Sequence, residues 1–251
     1  MIVGTGNHRY QAVPSWGAER TLGIASGVAT DSQDRVYVVD REPNPAIVVY
    51  DRDGHFIAAW GQDILALPHE IWIDAADRVY IADCGDHTLR IFSAGGELLQ
   101  TIGAPHAKGS DGQPFNQPTR VVRHPSGELM VSDGYGQCYL HRLSADGELL
   151  QTWGGPGSGP GQYTLPHNIF AAPDGRLLAV DREPNNRIQI LAPDGTFMEE
   201  WKGRPTARTE SGSIATAIST SARSASKTSS TSFSASKRPP RKSAPTHRRR
   251  R

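Results

Sequence analysis

The feature that most limits what this chain can fold into is a pattern repeated four times between residues 27 and 203. Each copy opens with a short apolar strand, turns, and runs into a second strand that ends near aspartate. A polar loop and a third apolar strand follow, then a tight turn and a fourth strand ending near Trp-Gly or Ile-Gly. The copies occupy residues 27–61, 70–103, 120–154 and 168–203. Their terminal glycines, at 61, 103, 154 and 203, lie 42, 51 and 49 residues apart. That spacing is close to the about 40–50 residues of one propeller blade. Val36-Tyr37-Val38-Val39 and Ile47-Val48-Val49-Tyr50 are rich in β-branched and aromatic residues, as strands are. Asp53-Gly54, Gly95-Gly96, Asp146-Gly147 and Asp194-Gly195 read as hairpin turns, because glycine takes positive φ without a Cβ clash. The unit is a four-stranded antiparallel meander. Its faces can be buried only against neighbouring copies, so the expected fold is all-β, a stack of blades that tends to close into a ring.

Charge divides the chain at the end of the fourth copy. Residues 1–203 hold 15 Lys/Arg and 25 Asp/Glu, while residues 204–251 hold 12 Lys/Arg and Glu210 as their single acid. The overall charge of +1 thus conceals a body at −10 and an extension at +11. Nineteen of the last 48 residues are Ser or Thr and only Phe233 is aromatic. Such a segment cannot bury enough apolar surface to offset its ordering entropy, so 204–251 is expected to be a disordered basic tail. The repeat would be expected to restart at Arg204-Pro205-Thr206, as Gln117-Pro118-Thr119 opens the third copy. Three origins stay open for the tail: a native basic segment for anionic surfaces, a tolerated extension, or a change of reading frame, which the abrupt stop favours. Non-specific nucleic-acid contact is expected only there. Two cysteines, Cys84 and Cys138, do not make a disulfide framework and read as reduced, mostly buried thiols. The first residues lack the basic and apolar regions of a signal peptide, and no run approaches the about 20 apolar residues of a membrane span. The expectation is a soluble, cytoplasmic protein with no membrane partner.

The wording of the copies, P-H-x-I…D-R-V-Y-I-A-D…H-T-L-R-I-F…G-E-L-L-Q-T-I-G and D-G-R-L-L-A-V-D-R-E-P-N-N-R-I-Q-I-L…G-T-F-M-E-E-W, resembles the NHL repeat. The resemblance implies an NHL-type β-propeller over 1–203. Four recognisable four-stranded blades, about 20–61, 67–103, 117–154 and 165–203, would belong to a six-blade design in an open or incomplete ring. Residues 10–17 (YQAVPSWG) resemble the end of a blade only.

Two histidines stand at equivalent points of the pattern, in Leu67-Pro68-His69-Glu70-Ile71 and Leu165-Pro166-His167-Asn168-Ile169. The start of an innermost strand lines the axial funnel of a propeller, so blades two apart can bring both imidazoles into one cavity. They are either polar funnel residues or zinc ligands. A catalytic zinc takes three protein ligands and an open position, and this spelling occurs twice.

Residues 24–203 also resemble the NHL propellers related to peptidyl-α-hydroxyglycine α-amidating lyase, which splits a peptide ending in α-hydroxyglycine into a peptide amide and glyoxylate. The resemblance implies a zinc held by histidines in P-H motifs and a structural calcium. His69 and His167 match two zinc ligands. Tyr135, in Val131-Ser132-Asp133-Gly134-Tyr135, matches the tyrosine that would act as base, its phenolate favoured by zinc and a neighbouring arginine. Arg41, in Val39-Asp40-Arg41, and Arg182, in Val180-Asp181-Arg182-Glu183, match active-site arginines. Val28 and Ile71 match residues whose backbone carbonyls bind the calcium. A third histidine and a calcium-binding aspartate would lie in a later blade.

Each assignment has a structural alternative. Tyr135 could pack on its own blade, and Arg41 and Arg182 sit in near-identical Asp-Arg-Glu-Pro-Asn stretches that suit a β-turn. His87 and Arg187 read as structural, and His8, His55, His106, His124, His141 and His247 as surface residues. The functional readings are a metal-dependent carbon–nitrogen lyase, a non-catalytic propeller binding a peptide, protein or small ligand on its funnel face, and an inactive truncated product.

Overall fold

A computed structural model describes residues 2–202; the expected tail, 204–251, lies outside the described residues. Two short strands, β1 (Ile2–Thr5) and β2 (His8–Gln11), pair as a hairpin. The first blade is β3 (Ala25–Thr30), β4 (Val36–Asp40), β5 (Ala46–Tyr50) and β6 (Phe56–Trp60), and the second is β7 (Pro68–Ile73), β8 (Val79–Asp83), β9 (Thr88–Phe92) and β10 (Leu98–Ile102). The third is β11 (Pro118–Arg123), β12 (Leu129–Asp133), β13 (Tyr139–Leu143) and β14 (Leu149–Gly154). The fourth is β15 (Pro166–Ala171), β16 (Leu177–Asp181), β17 (Arg187–Leu191) and β18 (Phe197–Lys202). Each set is one antiparallel sheet in chain order, as the repeat predicts. There is no helix among the described residues. The turn glycines Gly54, Gly96, Gly147 and Gly195 all take positive φ.

The middle strands β5, β8, β9 and β17 are buried along their whole length. They cannot be covered by their own sheet, and the core is accordingly built between blades. Val39, Ile47 and Val49 of blade one meet Ile71, Ile81 and Phe92 of blade two. Tyr80, Leu89 and Ile91 meet Val121, Leu129 and Leu143 of blade three. Val122, Met130 and Leu140 meet Ile169, Leu177 and Leu191 of blade four. Each such side chain contributes about 1.5–3 kcal/mol on full burial, so the blades are held chiefly by one another. The innermost strands β3, β7, β11 and β15 are neighbours in that order, and among the described residues the ring is open.

A clasp recurs at each junction. The large side chain ending one blade lies over the turn glycine of the next. A Cβ on Gly96 would stand 2.4 Å from Trp60 Cγ, one on Gly147 2.8 Å from Ile102 Cδ1, and one on Gly195 2.2 Å from Trp153 Cε2. Only glycine admits that contact. Residues 10–17, read as a blade end, divide into two parts. Trp16 fills the clasp position over Gly54 of blade one and donates its indole N–H to Arg52 O at 3.1 Å. The strand before it pairs with β1 and not with a blade.

Two histidines expected at the surface are buried. His124 Nε2 contacts Gly175 O of blade four at 2.8 Å, and His141 lies 3.2 Å from Asp133 with both side chains fully buried. In each case a polar partner replaces water, which the local sequence pattern does not reveal. His55 and His106 are exposed as expected.

Candidate functional site

The funnel residues are aimed by a bulge that all four blades share. The pairing of the innermost strand with its neighbour slips by one residue at Ser26, His69, Thr119 and His167. A bulge re-aims the extra side chain and ends regular pairing. Around the axis the bulge positions thus alternate hydroxyl, imidazole, hydroxyl, imidazole. The aspartate ending each second strand holds the approach to this point. Asp40 accepts from Gly23 N, Asp83 from Ala66 N and Leu67 N, Asp133 from Asn116 N, and Asp181 from Thr164 N and Leu165 N, all at 2.7–3.1 Å.

The residue after each aspartate reaches the same rim. The backbone N–H of Arg41 donates to Ile24 O at 2.8 Å, that of Cys84 to Leu67 O at 3.2 Å and that of Arg182 to Leu165 O at 3.0 Å. In blade three Gly134 is inserted, and Tyr135 N makes the equivalent bond to Gln117 O at 3.4 Å. A Cβ on Gly134 would stand 2.1 Å from Pro166 O, so the insertion requires glycine. Arg41 and Arg182 thus hold equivalent places in blades one and four, and both guanidiniums are close enough to His69 and His167 to act on their charge.

His69, Tyr135 and His167 come together. Tyr135 Oη lies 2.9 Å from His69 Nε2 and 3.0 Å from His167 Nε2, and the two imidazole centroids are 4.7 Å apart. The protons can be placed by elimination. Thr119 O only accepts, so His69 Nδ1, 2.8 Å away, carries the proton. His69 Nε2 then accepts from the Tyr135 hydroxyl, whose oxygen accepts from His167 Nε2–H. His167 Nδ1 is left buried with no hydrogen-bond partner among the described residues. Burial pushes His69 down to about 4, and the Arg41, Arg120 and Arg182 guanidiniums add to the shift. Burial, His69, Arg182 and Arg41 together push His167 down to about 3. Both rings are neutral at pH 7.

Arg182 is paired with Glu183 at 3.1 Å, and Arg41 Nη2 donates to Cys84 Sγ at 3.9 Å. Burial pushes the Cys84 thiol up to about 11, which leaves it protonated and unreactive. Arg120 pairs with the partly buried Glu70, the residue after His69, at 3.2 Å. Val28 and Ile71 occupy the same register position in adjacent strands, opposite Val38 and Ile81, with Val28 51% exposed and Ile71 buried. His87 and Arg187 are structural, as read. His87 Nδ1 accepts from Gln117 N at 3.1 Å, and Arg187 ties Asp181 and Glu200 to the loop carbonyls of Ser158, Gly159 and Gln162. Sequence reasoning missed Ser26, Thr119, Glu70 and Arg120. Aligning the copies on Pro68, Pro118 and Pro166 would have found Thr119.

The donor set fits part of a metal site. Two neutral imidazoles turn Nε2 toward one point, and His69 has its second ring nitrogen bound to a carbonyl, as ligating histidines do. No cluster of three His, Cys, Asp or Glu side chains suited to a metal occurs among the described residues.

Comparisons with known proteins agree with this architecture. The chain is 33% identical over 197 residues to the human protein called NHL repeat-containing protein 3, covering 73% of this chain and 56% of that one. This chain is an NHL-repeat β-propeller. It is 32% identical over 173 residues to the Drosophila melanogaster peptidyl-alpha-hydroxyglycine alpha-amidating lyase 1, covering 64% of this chain and 30% of that one. Similarity extends to the Xenopus laevis peptidyl-glycine alpha-amidating monooxygenase A, at 33% over 164 residues, 62% of this chain and 17% of that one. The propeller therefore spans little more than half the length of the curated NHL relative it matches. Among solved structures a streptogramin B lyase superposes with a TM-score of 0.57 at 17% identity, covering 73% of this chain and 55% of that one. That likeness concerns the fold alone. No family model matches the chain.

Proposed function

We propose that the funnel of this propeller is a metal-assisted carbon–nitrogen lyase site of the amidating-lyase type. The observation that carries the reading is the contact of His69, Tyr135 and His167, with Arg41 and Arg182 close enough to lower the pKa of both imidazoles. The substrate would be a small molecule or peptide bearing an α-hydroxyl on the carbon attached to an amide nitrogen. His69 and His167 would hold zinc, which supplies Lewis-acid polarisation of the substrate hydroxyl. Tyr135, as its phenolate, would take the hydroxyl proton and hand it on to the departing nitrogen, since both Nε2 atoms would be occupied by the metal. The oxygen lone pair then forms the carbonyl of glyoxylate as the carbon–nitrogen bond breaks, and the released amide nitrogen takes up a proton. Arg41 and Arg182 would orient an anionic substrate group. The main-chain carbonyls of Val28 and Ile71 are proposed for calcium on the resemblance alone. Glyoxylate release from an α-hydroxyglycine compound, with and without added zinc, tests the reading, and zinc-independent absence of product with intact substrate binding overturns it.

A second reading, a non-catalytic funnel binding a peptide or small ligand, is favoured by one observation. The described residues supply two histidines and no third side-chain ligand to the same point. Metal content after dialysis separates the two readings, because a metal-free protein whose stability ignores chelator supports binding alone.

A further inference from the structure

The alternating ring of bulge residues contains a connection between the two histidines. Thr119 lies at the bulge of β11, between the blades that carry His69 and His167, and it is fully buried. Its main-chain carbonyl accepts from His69 Nδ1 at 2.8 Å. Its hydroxyl lies 3.0 Å from Pro166 O, the carbonyl directly before His167, 3.0 Å from Ser132 O in its own blade and 2.9 Å from Ser132 Oγ. One residue therefore sets the tautomer of one histidine and the backbone preceding the other. Ser26 stands at the same bulge one histidine earlier, with its hydroxyl 3.4 Å from Pro68 O, the carbonyl before His69. The contact is the same but longer.

We propose that Thr119 is a positioning residue for the His69–His167 pair. It acts through two hydrogen bonds, one accepted from the His69 ring and one donated to the carbonyl before His167, and touches neither substrate nor metal. The inference rests on the metal-site reading given above. Its chemical basis is that groups orienting a ligating histidine change metal affinity by about 10- to 100-fold when removed. Thr119→Val keeps the size and the main-chain carbonyl but deletes the bond to Pro166 O. Thr119→Ser keeps that bond.

Cobalt titration of the whole chain, followed by its visible absorption, is the first readout. Thr119→Val should weaken cobalt binding about tenfold and alter the spectrum, Thr119→Ser should leave both near wild type, and Ser26→Ala should do less than Thr119→Val. The second readout needs no metal. The imidazole nitrogen chemical shifts of the metal-free protein should keep His69 protonated on Nδ1 in every variant, while His167 shifts in Thr119→Val alone. If wild type takes up no cobalt, the metal reading fails, and the nitrogen shifts still decide the role of Thr119. Unchanged His167 shifts in Thr119→Val, or equal cobalt affinity in the valine and serine variants, overturn the proposal.

Discussion

The junction between blades two and three and the open face of blade four are built from the same parts, with opposite outcomes. At the closed junction His69 gives its Nδ1 proton to Thr119 O of the next blade, and Ile102 lies over Gly147. On blade four His167 Nδ1 has no partner among the described residues, and Trp201, which ends the blade as Trp60 and Trp153 end theirs, is 49% exposed. Equivalent residues thus gain or lose their role according to what packs beside them. A blade is not a self-sufficient unit, because both of its faces need a neighbour.

A large difference in stability is the first test of this contrast. Trp60→Ala should cost about 3 kcal/mol, because it empties the space between Phe92 and the Gly96 turn. Trp201→Ala should stay within about 0.5 kcal/mol. Urea midpoints at constant slope measure both, and equal losses would mean that blade four is covered in solution. Gly134→Ala should cost about 2 kcal/mol through its clash with Pro166 O and should shift Tyr135, visible as a changed tyrosine environment in near-ultraviolet circular dichroism.

Acid should act next. Both funnel histidines have folded values below the ordinary 6.5, at about 4 and about 3. Below pH 6.5 the unfolded chain therefore binds protons that the folded chain refuses, and stability falls as pH drops toward 4. In metal-free protein His69→Gln should flatten that part of the stability–pH curve, and an unchanged slope would place the imidazole in contact with water. Tyr135→Phe should cost less than either Trp60→Ala or Gly134→Ala. It should lower stability by about 1 kcal/mol, since two ring nitrogens lose a partner, yet it should not weaken metal binding, because the phenol competes for both Nε2 atoms. Calorimetric titration with zinc separates this from a ligand role for Tyr135, which predicts weaker binding.

Much of the fold is legible in the order of the residues. The strand limits follow the four copies closely, and the turn glycines stand where Asp-Gly and Gly-Gly predict. The five funnel residues are visible by resemblance, and folding places Tyr135 against both histidines with Arg41 and Arg182 nearby. His124 and His141 are misjudged from the pattern because their partners, Gly175 and Asp133, are brought to them by packing between and within blades. Thr119 escapes notice because threonine in a strand is ordinary, and its importance depends on a one-residue slip in pairing.

The repeating unit, its strands and its turns are written into the chain locally, because alternation, β-branching and glycine at positive φ are properties of neighbouring residues. Packing between blades settles the rest: which of four equivalent residues meet on the axis, which nitrogen of His69 carries the proton, and which blade face is left open. Those outcomes depend on contacts between residues some 50 positions apart, such as His69 with Thr119 and Thr119 with Pro166, and no local pattern encodes them.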